Sequence, residues 1–199
     1  MPINPYKKVT FLKSVANMRQ LPSDQGLEVA FVGRSNSGKS SALNCLTGIK
    51  NLAYTSKTPG RTQLLNFFSL DDSRRLVDLP GYGYATAPQK IKETWQRNIV
   101  CYLEKRLCLQ GLVLLMDCRH PMKELDQVMI NWCFKRQLPV HIMLTKIDKI
   151  NRSTIKNTLL QISNHYQLMG DNISVQSFSA LKKEGIEDLI NHLNKWLQF

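Results

Sequence analysis

Short aliphatic runs alternate along the chain with longer segments in which apolar residues recur at helical spacing. The runs at residues 27–32, 112–116, 140–144 and 174–178 predict buried strands, because each is brief and dominated by aliphatic residues. Helical spacing predicts helices at residues 40–48, 89–106, 123–136, 152–168 and 185–197. This alternation predicts an α/β fold with a mostly parallel sheet.

Two polar interruptions refine this outline. Residues 63–70 and 74–78 predict a hairpin around the polar turn at residues 71–73. Residues 49–62 lack an apolar period and predict a long loop, and such loops inside compact domains are usually functional. The first 26 residues show no clear pattern. We therefore expect an N-terminal extension over residues 1–26 and a single domain over residues 27–199.

Composition excludes several classes of protein. The chain has 199 residues, 43% hydrophobic and 21% charged, which excludes a disordered chain, a collagen-like chain and a small disulfide scaffold. Its apolar runs fall short of the roughly 20 residues that span a bilayer, and the N-terminus lacks a signal-peptide pattern. The five cysteines show no C-x-x-C spacing. We expect a cytoplasmic monomer with reduced thiols and no membrane partner.

The net charge of +12 is concentrated in the first half of the chain. Residues 1–110 carry 16 basic and 7 acidic side chains, and no carboxylate lies between Glu28 and Asp71. One interpretation is a solvated basic surface, which many soluble proteins have. The other is a site for a polyanion, such as nucleotide phosphates or RNA.

Residues 33–40 match the phosphate-binding pattern G-x-x-x-x-G-K-[ST] between a predicted strand and a predicted helix. Glycines let the backbone close around an oxyanion, and amides at the helix N-terminus then point at the β-phosphate. Lys39 is predicted to contact the β- and γ-phosphates, and the Ser40 hydroxyl to bind Mg²⁺. The nucleotide-binding residues predicted in this loop are Gly33, Arg34, Ser35, Asn36, Ser37, Gly38, Lys39 and Ser40.

Two more segments predict contacts with the γ-phosphate and its metal. The sequence D-x-x-G at residues 78–81 predicts that Asp78 holds Mg²⁺ through water and that the Gly81 amide meets a γ-phosphate oxygen. Thr62, just before a predicted strand, could bind Mg²⁺ only when a γ-phosphate is present. The residues predicted to bind the nucleotide here are Gly60, Arg61, Thr62, Gln63, Asp78, Leu79, Pro80 and Gly81, and we predict Lys39, Thr62 and Gly81 as catalytic.

The nucleobase is predicted to be recognised by Thr145-Lys146-Ile147-Asp148, an [NT]-K-x-D element at a strand end. The Asp148 carboxylate can accept two hydrogen bonds from guanine, whereas adenine would leave it unpaired. The stem of Lys146 can lie over the purine. The loop at Phe178, Ser179 and Ala180 can place an amide near guanine O6.

These motifs, in this order, resemble the EngB (YihA or YsxC) family of bacterial GTP-binding proteins, within the TrmE-Era-EngA-EngB-septin-like superfamily. The segments that carry the resemblance are GRSNSGKSSALN, SKTPGRTQ, RLVDLPGYGYA, LQGLVLLMDCRHP, LTKIDK and SFSALKKEG. The resemblance implies a Ras-like P-loop domain with a mostly parallel six-stranded sheet, one antiparallel edge strand and helices on both faces. It also implies Mg²⁺-dependent GTP binding, slow hydrolysis to GDP, and roles in large ribosomal subunit assembly and in cell division and septation. The implied partner is a precursor of the large subunit or its rRNA.

Three departures from other GTPases bear on mechanism. Tyr82 follows D-x-x-G where Ras-like switches have a water-positioning glutamine, which predicts slow intrinsic turnover that a partner or K⁺ would raise. Tyr82 and Tyr84 could stack on RNA bases or pack on neighbouring helices. Asn36 is a candidate K⁺ ligand. Thr145 lacks the amide that bridges base and P-loop in many GTPases, which predicts micromolar nucleotide affinity.

Three functions remain open from the sequence. The first is a GTP-hydrolysing switch whose GTP form docks on a ribosomal precursor through a basic surface. The second is an RNA- or ribosome-binding module in which nucleotide is only structural. The third is a septation protein that acts through a protein partner.

Overall fold

The computed structural model describes residues 4–53, 64–83, 98–167, 170 and 172–199. Within these ranges the strands are β1 (Thr10–Val15), β2 (Leu27–Gly33), β3 (Leu65–Ser69), β4 (Arg74–Asp78), β5 (Leu109–Asp117), β6 (Val140–Thr145) and β7 (Ile173–Ser177). The helices are α1 (Lys39–Thr47), α2 (Glu124–Lys135), α3 (Arg152–Tyr166) and α4 (Ile186–Leu197), and residues 98–105 are also helical. The predicted loop at 49–62 and the predicted helix at 89–106 lie in part outside the described residues.

The sheet has the order β1-β3-β4-β2-β5-β6-β7. Strands β4, β2, β5, β6 and β7 pair in parallel, and β3 is antiparallel to both of its neighbours, β1 and β4. The predicted α/β class with a mostly parallel sheet is confirmed.

The expected strand count of six is wrong, and so is the expected place of the antiparallel strand at the edge. Residues 10–15 of the extension form a seventh strand that covers β3 and becomes the edge. This strand could not be predicted from the sequence, because its side chains are mostly exposed and its register shifts between Phe11 and Lys13. Without a buried face there is no alternation of apolar and polar residues to detect.

The core lies on both faces of the sheet. In β2, Val29 and Phe31 belong to one buried cluster, whereas Ala30 and Val32 belong to the other. A strand buried on both faces has a continuous apolar run rather than an alternating one. This explains why the central strands were visible in the sequence as uninterrupted aliphatic segments.

A buried charge network joins the N-terminal extension to the sheet. Glu28, fully buried at the start of β2, accepts hydrogen bonds from Arg75 Nε at 2.7 Å, Arg106 Nη2 at 2.6 Å and the Tyr102 hydroxyl at 3.0 Å. Arg106 also donates to the carbonyl oxygens of residues 22 and 23 in the extension. The hydrogen bonds around Glu28 offset the cost of burying its charge.

The parallel strands β2, β4 and β6 end at the same edge of the sheet. Consequently the P-loop after β2, the D-x-x-G segment from β4 and the T-K-x-D element from β6 meet there. Crevices at the carboxyl ends of parallel strands are where α/β proteins bind ligands. In the described part of the chain, no helix has the length and apolar character needed to cross a membrane.

Replacing Glu28 with Ala should strongly destabilise the fold, because it leaves two buried guanidinium groups without their carboxylate. Removing one partner of a buried ion pair costs about 3–5 kcal/mol, and urea denaturation should show a loss of that order. The control is Asp72→Ala at the exposed hairpin turn, which should change the free energy of unfolding by less than about 0.5 kcal/mol. Equal losses in the two variants would contradict the role given to Glu28.

Candidate functional site

The loop between β2 and α1 turns tightly enough to require glycine at two positions. A Cβ on Gly33 would lie 2.5 Å from both the Leu115 carbonyl oxygen and Ser37 Oγ. Gly38 has a φ of 94°, in the left-handed region that favours glycine. Helix α1 then begins at Lys39 with no side-chain cap on its N-terminus. The amides of its first turn therefore have no acceptor within the helix and can bind an anion.

The carbonyl groups of this loop accept hydrogen bonds from outside it. Gly33 O accepts from the Tyr82 amide at 3.2 Å, and Asn36 O from Lys146 Nζ at 2.6 Å. The Thr145 hydroxyl donates to Ser37 O at 2.5 Å. The loop is thus held in shape by the segments that follow β4 and β6.

Lys39 and Asp78 form an ion pair at the floor of the site. Lys39 Nζ contacts Asp78 Oδ1, and the two side chains are only 12% and 5% exposed. The Ser40 hydroxyl follows in the first turn of α1. A hydroxyl and a carboxylate are the hard oxygen ligands that Mg²⁺ prefers, so these residues fit that ion. The described residues contain no group of three or more His, Cys, Asp or Glu suited to a metal.

A second carboxylate, that of Asp148, lies in the turn that follows β6. Asp148 Oδ1 accepts a hydrogen bond from the Ser179 hydroxyl at 2.7 Å, and Ser179 is fully buried. This hydrogen bond is the main cause that lowers the pKa of Asp148. Lys146, with a φ of 60°, directs its ammonium group back to the P-loop. The site therefore offers an anion-binding helix end and, beside it, an ionised hydrogen-bond acceptor.

Comparison with known proteins agrees with this geometry. A family model described as a 50S ribosome-binding GTPase matches residues 28–146. A protein of Coxiella burnetii (strain CbuG_Q212), described as a probable GTP-binding protein EngB, is 48% identical over 97% of this chain and 94% of its own length. A second strain of that species, CbuK_Q154, has a relative that is 49% identical over 96% of this chain and 93% of its own length.

The chain belongs to the EngB family of GTP-binding proteins. It is therefore a GTP-binding protein of the P-loop GTPase superfamily, which hydrolyses GTP. The crystal structure of a probable EngB superposes with a TM-score of 0.70 at 21% identity, covering 86% of this chain and 98% of that one. A single-residue variant of Aquifex aeolicus Era, bound to GDP and aluminium fluoride, gives 0.68 at 22% identity over 87% of this chain and 57% of its own. At these identities the structural likeness establishes the fold.

The remaining site residues predicted for this EngB chain differ in what they can offer a ligand. Leu79, Ile147 and Phe178 have side chains buried in the core, so only their backbones could reach a nucleotide. Ala180 is half-buried beside α1, with Cys45 Sγ 3.8 Å from its carbonyl oxygen. The predicted contacts at Gly60, Arg61, Thr62 and Gln63 lie outside the described residues.

Tyr82 is packed inside the protein rather than presented to RNA. Its side chain is 2% exposed, and its hydroxyl donates to Asp126 Oδ1 of α2 at 2.5 Å. Of the two interpretations offered for Tyr82, packing on a neighbouring helix is confirmed and RNA stacking is wrong. Tyr84 lies outside the described residues.

Thr145 keeps one of the contacts that the sequence suggested it had lost. Its hydroxyl bonds the P-loop carbonyl of Ser37, so β6 and the P-loop remain linked although no amide is present. The side chain is nearly buried, and its oxygen also lies 3.1 Å from Met116 O. What the threonine lacks is a second donor group.

Sequence reasoning missed the role of Asp117 at the end of β5. Its carboxylate pairs with Lys146 Nζ at 2.9 Å and with Arg119 Nη2 at 2.6 Å. Hydrogen bonds from Arg119, followed by those from Lys146, hold the pKa of Asp117 well below its usual range. An acidic residue at the carboxyl end of a buried parallel strand was the signal that could have revealed it.

Replacing Ser37 with Ala should stabilise the nucleotide-free protein. Among the described residues, Ser37 Oγ is the buried side-chain oxygen that has no hydrogen-bond partner. Leaving such a group unpaired costs about 1–3 kcal/mol, so urea denaturation should show a gain of the order of 1 kcal/mol. The substitution keeps the Ser37 backbone, which accepts from Thr145, so a change in GDP affinity would show that the hydroxyl itself contacts the nucleotide.

The matched control is Ser179→Ala, which removes a buried hydroxyl that does have a partner, Asp148. This variant should lose stability and bind GDP more weakly. If the Ser37 variant were instead the less stable of the two, its hydroxyl would have an important partner in solution.

Proposed function

We propose that this EngB-family chain is a Mg²⁺-dependent nucleotide switch that hydrolyses GTP slowly and acts in large ribosomal subunit assembly, with normal cell division and septation depending on it. The observation that carries the proposal is the meeting of an uncapped helix N-terminus, the Lys39–Asp78 pair and the ionised Asp148 at one edge of the sheet. The first group suits phosphates, the second a phosphate with its metal, and the third a guanine base.

In this proposal the phosphates lie along the P-loop from Gly33 to Ser40. Lys39 leaves Asp78 and moves to the β- and γ-phosphates, which frees the carboxylate to hold metal-bound water. Ser40, and in the GTP state Thr62, would be the direct protein ligands of Mg²⁺. When bound, Mg²⁺ supplies charge that offsets the phosphate oxygens. Gly60, Arg61 and Gln63 complete the proposed site around Thr62.

Hydrolysis is proposed to be slow because the position that orients water in Ras-like switches is occupied by a buried tyrosine. The Tyr82 side chain is buried and its hydroxyl proton is already donated to Asp126, so it is not available to orient water. Gly81 can offer its amide, and Lys39 its charge, to the reacting phosphate. A ribosomal partner or K⁺ would supply what is missing, with Asn36, in a left-handed conformation on the P-loop, as the candidate K⁺ ligand.

Several features support a ribosomal partner. The matching family model is described as a ribosome-binding GTPase, and the net charge of +12 favours an RNA surface. Era, which shares the fold with a TM-score of 0.65, has been crystallised with MgGDPNP and a piece of 16S ribosomal RNA. We propose the precursor of the large subunit as the partner of this chain.

Location, oligomeric state and domain division complete the proposal. We propose a cytoplasmic monomer, and the five unpaired cysteines fit a reducing compartment. We retain residues 1–26 as an extension and 27–199 as the G domain, with β1 of the extension paired to β3 of the domain.

Replacing Asp148 with Asn should change nucleobase preference. The amide would present a donor where guanine N1–H also donates, whereas xanthine offers an acceptor at its 2-position. Binding titrations should therefore show weaker GDP and stronger xanthosine diphosphate affinity, with a preference shifted by roughly 100-fold or more. Lys149→Ala is the control, since its exposed ammonium lies 3.6 Å from the same carboxylate. An unchanged preference in the Asp148 variant would show that guanine is not recognised there.

GTP turnover should rise when purified large ribosomal subunits are added, and the stimulation should weaken steeply as salt is raised, because a basic interface releases counterions. The measurement is phosphate release across a salt series, run in parallel in KCl and NaCl. Equal rates in the two salts would remove K⁺ and Asn36 from the proposal.

Equal binding of the GDP and GTP forms to subunits would exclude a switch and favour a structural nucleotide.

The link to division can be tested in cells by depleting the protein. The proposal expects subunit precursors to accumulate before division fails. The reverse order would favour direct action on septation through a protein partner.

A further inference from the structure

The residue after D-x-x-G is tied to two neighbouring parts of the fold. On one side its backbone pairs with the P-loop, because the Tyr82 amide donates to Gly33 O at 3.2 Å and Tyr82 O accepts from the Ser35 amide at 2.8 Å. On the other side its hydroxyl donates to Asp126 Oδ1 at 2.5 Å. Tyr82 thus connects the phosphate loop to α2.

Asp126 is itself held in place. It is 1% exposed, and its second oxygen, Oδ2, accepts at 3.0 Å from the amide of Lys123, the residue at the N-cap of α2. Burial raises the pKa of Tyr82, so the hydroxyl keeps its proton and acts as the donor. Burial likewise raises the pKa of Asp126, and its hydrogen bonds with Tyr82 and Lys123 and the charge of Arg34 oppose that rise. The acceptor of the Tyr82 hydroxyl is therefore fixed by the start of a helix.

Gly81 directly precedes Tyr82 and lies against the P-loop. A Cβ placed on it would be 3.4 Å from Gly33 O and from the Ser35 amide nitrogen, which is van der Waals contact with the P-loop. The amide of Gly81 is the group proposed above to meet the γ-phosphate. Because the adjacent residue is bonded on both sides, the position of that amide depends on where the Tyr82 ring is held.

We propose that Tyr82 and Asp126 form a positioning pair that holds the Gly81 amide at the γ-phosphate, so that the pair selects GTP over GDP without touching the nucleotide. The inference rests on the proposed function, because it assumes that the γ-phosphate reaches Gly81. Ras-like switches carry a catalytic glutamine at this position. In this chain the proposal gives the position a structural task, the discrimination of GTP from GDP. GDP has no γ-phosphate and should not depend on the pair.

The test is the affinity of the full chain for GDP and for a non-hydrolysable GTP analogue, measured by calorimetry with Mg²⁺ present. Tyr82→Phe removes one hydroxyl and keeps the buried ring. We expect the analogue to bind roughly tenfold more weakly, as for loss of one hydrogen bond to a charged acceptor, while GDP affinity changes by less than about twofold. Unchanged GDP affinity also shows that the variant is folded.

Two further variants make the test specific. Asp126→Asn can still accept from the Lys123 amide, but its NH₂ group could only donate to the Tyr82 hydroxyl, which replaces the original hydrogen bond by a neutral one of reversed direction. It should show a smaller loss with the same selectivity if the pair is the cause. Tyr6→Phe is the matched control: Tyr6 is also buried, and its hydroxyl donates to Asn194 Oδ1 at 2.8 Å, on α4. It should lower the melting temperature without altering the ratio of the two affinities.

The outcomes distinguish a failure of the positioning pair from a failure of the proposed function. If Tyr82→Phe changes both affinities equally, or neither, the residue only fills space and the inference is overturned. If the unsubstituted chain binds neither nucleotide, the proposed function fails first and the inference fails with it. A selective loss in both pair variants, absent from the Tyr6 control, supports the positioning role.

Discussion

A loop can turn its amides toward a phosphate only if its carbonyl groups find donors elsewhere. In this chain three carbonyls of the P-loop, those of Gly33, Asn36 and Ser37, accept from the Tyr82 amide, the Lys146 ammonium and the Thr145 hydroxyl. Each donor belongs to a segment that has its own proposed contact with the nucleotide. The shape of the phosphate loop is therefore coupled to the segments proposed for the γ-phosphate and for the base.

This coupling depends on the sheet keeping β4 and β6 on either side of β2 and β5. The register that aligns Phe31 with Asp78 sets how far the D-x-x-G segment extends past the P-loop. Glu28 and its two arginines act at the opposite end of the same strands, where they also fasten the extension. The charges that hold the extension are thus kept apart from the charges proposed to meet the ligand.

The sequence alone predicts those parts of the fold and of the site whose residue pattern has a single local cause. Central strands buried on both faces appear as aliphatic runs, and the phosphate loop needs glycine where Leu115 and Ser37 crowd Gly33. Prediction failed, or left alternatives open as for Tyr82, where a residue depends on a distant partner. Strand β1 is defined by hydrogen bonds to β3, Asp117 by Lys146, and Tyr82 by Asp126, 44 residues away. No local periodicity carries such information.

Thr145 stands where many GTPases have asparagine, and the two contacts made by that amide are divided here between different residues. A hydroxyl has a single proton, and here it lies 2.5 Å from Ser37 O, so it cannot at the same time donate to a base. An asparagine amide has two protons and could do both. In the proposed function, recognition of the base therefore falls to Asp148, while the Lys146 ammonium is held by Asp117 and the P-loop. A site with fewer direct bonds to the base should hold its nucleotide less tightly, in keeping with the micromolar affinity predicted from the sequence.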